Sequence, residues 1–310
     1  MRLSPEQNSA GTDSLYISKI QRYSTRDGPG IRSTVFCVGC NLRCIWCSNP
    51  ELIDEGQILY YRQRCVRCGA CAALSGGTIS VGPEGCVIDR KRCTNLAESA
   101  AACNHDAYEI IGRTISPGEL AQQLLRDKAF YDQSGGGVTF SGGEPALQSE
   151  LVAATAALLK EAGIHTALDT AGNVEWGALE TAAEKMDLVL YDIKALDGEI
   201  HRRCTGDTNT LVLENAGRLA RMNKTLHIRL ILAPPYNDGE DWEKRLAFVK
   251  DLGSAVSRID LLPLHKLGAG KYAALGIGDP LENSAECPPQ AVAEAVAAAE
   301  RMGLTVTVGG

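Results

Sequence analysis

No run of the 310-residue sequence reaches the ~18 consecutive apolar residues that a membrane-spanning helix needs. An excess of positive charge is missing too. Lys and Arg total 31 against 38 Asp and Glu, a net charge of −7. A protein that binds by neutralising phosphates is normally basic, so neither nucleic acid nor membrane is an expected partner. The opening MRLSPEQNSAGTDS lacks the apolar centre of a secretion signal. The expectation is a cytoplasmic protein with a flexible segment over residues 1–14. Long repeats and low-complexity linkers are absent, and Ser134–Gly137 is only a short flexible joint.

What the sequence has in excess is cysteine, 12 residues. Without secretion a disulfide framework is disfavoured, and clustered thiols in a reducing compartment point to metal or redox chemistry. All but Cys204 and Cys287 lie between Cys37 and Cys103. The remainder alternates β-branched runs with Ala- and Leu-rich stretches. Strands are predicted at Ser33–Val38, Val138–Ser141, Thr166–Asp169, Leu188–Ile193, Leu226–Leu232 and Ile259–Leu264. Helices are predicted over Pro117–Asp132, Ser149–Ala162, Glu175–Lys185, Leu211–Met222, Glu240–Leu252 and Gln290–Arg301. Alternating β and α implies parallel strands with right-handed crossovers. Six such units predict an α/β fold, a partial (β/α)6 barrel of the TIM type rather than a closed ring of eight. The Gly- and Cys-rich stretch 54–111 breaks the rhythm and reads as an insert, with a helix signal only at Leu96–Cys103.

The sharpest feature is GCNLRCIWC, which spaces Cys40, Cys44 and Cys47 as C-x3-C-x2-C directly after the first strand. A [4Fe–4S] cluster usually takes four thiolates. Three from one loop leave an iron open to a small molecule with an amine and a carboxylate. Structural zinc prefers four closed ligands, often in two pairs, and suits this spacing less well. Cys37, on the strand itself, reads as a core thiol. Gly142-Gly143-Glu144 ends the second strand, where glycines admit a ligand to the backbone and Glu144 can accept from an ammonium. Asp169-Thr170 ends the third. Asp192 and Lys194 end the fourth on one face, where a structural ion pair is the alternative. These positions share the strand ends at which (β/α) barrels build sites.

The C-x3-C-x2-C loop after a first strand resembles the radical S-adenosylmethionine (SAM) superfamily. The longer DGPGIRSTVFCVGCNLRCIWCSNPE, Asp27–Glu51, resembles the signature of glycyl-radical-enzyme activating enzymes. The resemblance spans Leu15–Gly310 and implies a radical SAM barrel over 15–53 and 112–310. It implies SAM at the open iron, with contacts from Trp46, Cys47, Ser48, Gly142, Gly143, Glu144, Asp169, Thr170, Asp192, Ile193, Lys194 and Arg229. A barrel-lining structural role for Arg229 stays open, as does a monovalent cation at Asp169, Thr170 and the Leu190 carbonyl. His265 and Lys271 fall in a segment bordering the protein-substrate entry, or in a plain surface loop. The segment HRRCTG, with His201 and Thr205-Gly206, resembles a family segment without a derivable role.

The implied reaction is reductive cleavage of SAM to a 5′-deoxyadenosyl radical, which takes a hydrogen atom from a backbone glycine of a partner enzyme. The implied partners are a glycyl radical enzyme with a C-terminal glycine loop and a low-potential donor such as flavodoxin or ferredoxin. Alternatives are a radical SAM enzyme acting on a small molecule or another peptide residue, and a non-catalytic iron–sulfur electron carrier.

Within the insert, Cys65, Cys68 and Cys71 form C-x2-C-x2-C, and the fourth position of a ferredoxin motif is Ser75. A second motif starts at Cys93, carries Leu96 and Ser99 at its next two positions, and keeps its last, Cys103. In two-cluster ferredoxins the fourth cysteine of one motif ligates the other cluster. Cys65, Cys68, Cys71 and Cys103 then make one auxiliary [4Fe–4S] set, with Cys86 as a spare and zinc as the alternative metal. The insert resembles a ferredoxin module reduced to one cluster, either an electron relay or a staple for a small domain.

Overall fold

The computed structural model describes residues 13–309. Of the segment expected to be flexible, only Asp13 and Ser14 fall within that range. The chain opens with β1 (Leu15–Ser24), antiparallel to β2 (Arg32–Cys37). The intervening Asp-Gly-Pro-Gly turn is built for close approach. Gly30 sits at φ +69°, and a Cβ there would lie 2.4 Å from the Gly136 nitrogen. Asp27 Oδ2 accepts from Ser24 Oγ and Thr34 Oγ1, each at 2.6 Å, and pins the turn to both strands. Arg32, fully buried, donates to Thr139 Oγ1 and the Val138 carbonyl at 2.7 Å and to the Pro29 carbonyl at 3.1 Å.

After β2 the chain leaves the sheet for an insert made of β3 (Ile58–Tyr60), α1 (Ala70–Leu74), β4 (Ile79–Gly82), β5 (Gly85–Ile88), α2 (Leu96–Ala101) and β6 (Tyr108–Ile110). The antiparallel pair β3–β6 closes its base, and β4–β5 form a hairpin. The five-residue α1 was not expected; it is too short for a periodic apolar signal. The return passes through β7 (Arg113–Ile115), α3 (Pro117–Leu125) and α4 (Lys128–Ser134). One helix was expected over 117–132. A Ser116–Glu119 capping box starts α3 as its sequence suggests. The break comes at Asp127, whose carboxylate is drawn to Arg22 at 2.5 Å and to Ser33 Oγ at 2.9 Å on the first two strands.

The rest is regular α/β: β8 (Gly137–Gly142), α5 (Ser149–Glu161), β9 (His165–Thr170), α6 (Trp176–Glu184), β10 (Leu188–Asp192), α7 (Gly198–Thr205), α8 (Thr210–Arg221), β11 (Leu226–Leu232), α9 (Glu240–Asp251), β12 (Val256–Pro263), α10 (Ala269–Leu275), α11 (Pro289–Arg301) and β13 (Thr307–Val308). The nine-stranded sheet runs β13-β12-β11-β10-β9-β8-β2-β1-β7, and the strands from β2 through β13 are parallel. These seven lie in chain order, and the first six match the predicted units, in agreement with an incomplete barrel. β1, β7 and the two-residue β13 were not expected; β1 reads as polar because its outer residues face solvent. Central strands such as β8 are buried along nearly their whole length, as parallel strands covered on both faces must be. Among the described residues no helix is long and apolar enough to cross a membrane.

One buried ion pair fixes the turn after β10. Asp241 Oδ1 accepts from the Leu196 and Asp197 amides at 2.9 and 2.8 Å, and its Oδ2 lies 2.9 Å from Arg245 Nε. Both side chains are closed to solvent. Removing one partner strands a buried charge, which costs about 3–5 kcal/mol. Asp241→Ala is therefore expected to lose that much stability, read from the urea midpoint; a loss below about 1 kcal/mol would contradict this role.

Candidate functional site

The segment after β2 has no regular secondary structure, yet its backbone is tied down. Gly39 and Cys40 amides donate to the Leu52 and Ile53 carbonyls at 2.8 and 2.9 Å. Asn41 Nδ2 donates to the Asn173 carbonyl. The Arg43 and Ile45 amides donate to the Thr205 and Cys204 carbonyls at 2.7 and 2.9 Å. The residues between the cysteines thus anchor the loop, and the three thiols need no part in holding it. This gives HRRCTG a structural role: it forms the last turns of α7, and its terminal carbonyls receive the loop. His201 and Thr205 brace that turn, with Thr205 Oγ1 3.1 Å from His201 Nδ1 and donating to the His201 carbonyl at 2.8 Å. Such carbonyls at a helix end otherwise lack partners.

A second clamp closes the far side. Lys271 Nζ donates to Asn49 Oδ1 at 2.6 Å and Glu51 Oε1 at 2.7 Å. A Cβ on Gly268 would stand 2.5 Å from the Cys47 carbonyl oxygen. Lys271 is therefore tied to the segment following the cysteines, whereas His265 is exposed.

The strand ends face this loop. Glu144, 1% exposed, accepts from Thr170 Oγ1 at 2.7 Å, the Ala146 amide at 3.1 Å and the Ala171 amide at 3.0 Å. Burial outweighs these bonds and pushes its carboxyl up to about 7. Behind it runs a row of alternating charges. Arg229 Nη1 lies 2.9 Å from Asp169 Oδ1, Arg229 Nε 3.3 Å from Asp192 Oδ1, and Lys194 Nζ donates to Asp192 Oδ2 at 2.8 Å. Ser141 Oγ donates to Asp169 Oδ2 at 2.7 Å. Burial alone would raise Asp192, but Lys194 and Arg229 overcome it and hold the carboxyl below the usual range. Asp169 is raised by burial, with Arg229 opposing. Ile193 is wholly buried between Asp192 and Lys194.

The thiols feel this row. Desolvation pushes Cys40 up to about 11 and Cys44 up to about 12, and raises Cys47, while the Lys194 ammonium pulls all three the other way. A thiol so placed stays protonated at neutral pH unless a metal displaces the proton. Trp46, 8% exposed, keeps its indole N–H buried without a protein partner, and Ser48 follows on the same loop, half-buried. Among the described residues no three His, Cys, Asp or Glu side chains close on a point for a single ion. The donor set here is three half-buried thiols on an anchored loop, beside a carboxylate and an ammonium. That fits an incompletely ligated iron–sulfur cluster and an amino-acid-like ligand. Cys37, by contrast, is fully buried in the barrel core.

Residues 34–249 match the Radical SAM superfamily. The chain belongs to the radical SAM superfamily. Its relatives narrow the family further. It is 36% identical over 282 residues to the (2S)-3-sulfopropanediol dehydratase activating enzyme of Klebsiella oxytoca, spanning 86% of this chain and 87% of that protein. It is 36% identical over 305 residues to the benzylsuccinate synthase activating enzyme of Thauera aromatica, spanning 95% and 92%. The trans-4-hydroxy-L-proline dehydratase activating enzyme of Clostridioides difficile is 37% identical over 262 residues, spanning 83% and 86%. Within the radical SAM superfamily, the chain thus sits in the family of glycyl-radical-enzyme activating enzymes.

Several supports of this candidate site were not anticipated: Asn41, Ser141, and the carbonyls of Cys204 and Thr205. The two carbonyls carry no sequence signal because a backbone carbonyl is blind to side-chain identity, and the Asn41 and Ser141 side chains find partners far away in the chain. Gly143 carries a sharper constraint. A Cβ there would meet the Gly39 carbonyl oxygen at 2.2 Å and its carbon at 2.8 Å, both backbone atoms of the cysteine loop. Gly143→Ala is expected to drive the two segments apart, costing about 2 kcal/mol or more and lowering iron retained after anaerobic reconstitution. A variant with unchanged melting temperature and iron content would contradict the contact.

Proposed function

We propose that this chain activates a glycyl radical enzyme by generating a radical from SAM and taking a hydrogen atom from a backbone glycine of its partner. The observation that carries the reading is the convergence, at one end of the parallel sheet, of an anchored three-thiol loop with Glu144 and the Asp169–Arg229–Asp192–Lys194 row. When bound, a [4Fe–4S] cluster supplies the single electron that cleaves SAM at its sulfonium.

The chain's own residues bind and orient. Cys40, Cys44 and Cys47 would ligate three irons and leave one open. Glu144 has one carboxylate lone pair beyond its three protein bonds and would accept from the SAM ammonium, with Gly142 and Gly143 admitting the ligand to the backbone. Lys194 and Arg229 would face its carboxylate. Trp46 and Ser48 would line the adenosine side, with the Trp46 N–H available as a donor, while Ile193, expected there too, is buried in the main apolar core. Asp169 and Thr170 hold Arg229 and Glu144 in place. A monovalent cation at these two residues and the Leu190 carbonyl would compete with Arg229 for Asp169, and is not part of this reading. No general base is required, because a hydrogen atom moves rather than a proton.

The reading extends to the insert, taken as a ferredoxin-like unit over 54–111 between the barrel segments 15–53 and 112–310. Cys65, Cys68, Cys71 and Cys103 line one pocket, and this shared thiol lining supports an auxiliary [4Fe–4S] cluster there. The electron would come from a low-potential cytoplasmic donor of the flavodoxin or ferredoxin type.

Anaerobic incubation of the reduced protein with SAM and a candidate glycyl radical enzyme should yield 5′-deoxyadenosine, methionine and a doublet radical signal in electron paramagnetic resonance. Alanine at Cys40, Cys44 or Cys47 should abolish all three; nucleoside production by any such variant would sink the assignment. A pH dependence follows from Glu144. Its carboxyl is raised to about 7, and an ammonium ligand requires the carboxylate. Below pH 7 binding must release a proton, so the SAM dissociation constant should rise about tenfold per unit as pH falls. Equilibrium binding between pH 6 and 8 checks this, with Glu144→Gln weak and flat; a flat wild-type profile would count against Glu144.

A further inference from the structure

The auxiliary cavity holds one thiol more than a cubane needs. Besides Cys65, Cys68, Cys71 and Cys103, it is lined by Cys86. Cys86 comes from β5, a different element from the C-x2-C-x2-C loop. Its Sγ lies 3.8 Å from Cys65 Sγ and 3.6 Å from Cys71 Sγ. The position is held firmly, since the Cys86 amide donates to the Tyr60 hydroxyl at 2.7 Å and the residue is 8% exposed. Cys103, two residues past the end of α2, is half-buried. Cys93, the first cysteine of the second motif, is absent from the cavity lining; its Sγ is 3.6 Å from Asn95 Oδ1. A second, independent feature of the cavity is Tyr108. Its hydroxyl is buried in the lining without a partner, although buried hydroxyls ordinarily find one.

We propose that Cys86 is a reserve ligand of the auxiliary cluster, able to take the iron corner held by Cys103. The exchange balances without redox change. The iron–sulfur bond to Cys103 breaks, the bond to Cys86 forms, and the Cys86 proton ends on the released Cys103 thiolate. The cluster then passes from a half-exposed ligand to a buried one, so it stays attached when the outer ligand is lost. Solvent exposure is one of the factors that set a cluster's potential, so the two ligation states differ in potential as well. The inference rests on the auxiliary-cluster reading, and its test separates the two.

The test uses the full chain with Cys40, Cys44 and Cys47 all changed to Ala, so that only the auxiliary site can hold iron. After anaerobic reconstitution this variant should carry about four iron and four acid-labile sulfide, one cubane's complement. Adding Cys103→Ala should keep the iron and sulfide but shift the electron paramagnetic resonance g values and the midpoint potential. Adding Cys86→Ala instead should keep both the iron and the starting spectrum. Adding both should empty the site. Circular dichroism confirms that each variant is folded, and the non-ligating Cys103→Val and Cys86→Val stand in for any alanine variant that is not. Loss of iron with Cys103→Ala alone, or retention in the doubly changed protein, would overturn the reserve-ligand role. Iron or sulfide missing from the starting variant would instead overturn the auxiliary cluster itself.

Discussion

The site depends on backbone hydrogen bonds made by residues that do no chemistry. Three thiols can await a cluster in an irregular loop only if something else holds that loop. The amides of Arg43 and Ile45, seated on the last carbonyls of α7, do so together with Asn41. Backbone bonds of this kind contribute roughly 1 kcal/mol each in net stability, and losing one leaves a donor or acceptor unmet. The cysteines are thereby spared a structural duty. From the sheet side, Gly143 leaves no room for a side chain against Gly39, so the loop and the Gly-Gly-Glu strand end are held in contact at their backbones.

The charge row is the second constraint. Four ionised groups in a nearly closed interior would be costly singly, and they persist because each faces the opposite sign. Parallel pairing sets Asp192 beside Arg229 in register, and places Leu190 beside Asp169 on the other flank. The side-chain pattern therefore follows from strand register. The same field reaches the thiols through Lys194, so the part that would orient a ligand also eases their loss of protons.

Much of this was legible in the sequence, and what was not has physical causes. The parallel strands announced themselves as short runs of β-branched residues, since both faces are covered. The motif residues Cys40, Cys44, Cys47, Gly142, Gly143, Glu144, Asp192 and Lys194 stood out by their spacing and by their place in or after the predicted strand ends. β1 was missed because a half-exposed edge-side strand carries polar residues. The break between α3 and α4 was missed because it depends on Asp127 reaching Arg22 and Ser33, far away in the chain. The spacing of Cys65, Cys68, Cys71 and Cys103 anticipated one shared cavity, whereas the position of Cys86 inside it needed the β4–β5 hairpin to be seen.

The helix α10 has two masters. Arg90 of the insert donates to the Ile58 carbonyl at 2.8 Å and to the Ala274 carbonyl of α10 at 2.9 Å, while Lys271 of that helix grips Asn49 and Glu51 behind the cysteine loop. Leu59 and Ile111 from the base of the insert share a small apolar core with Leu275 and Ala274. The insert is therefore no interchangeable cassette. A graft from a relative would have to bring a matching α10, or it would disturb the cysteine loop at a distance.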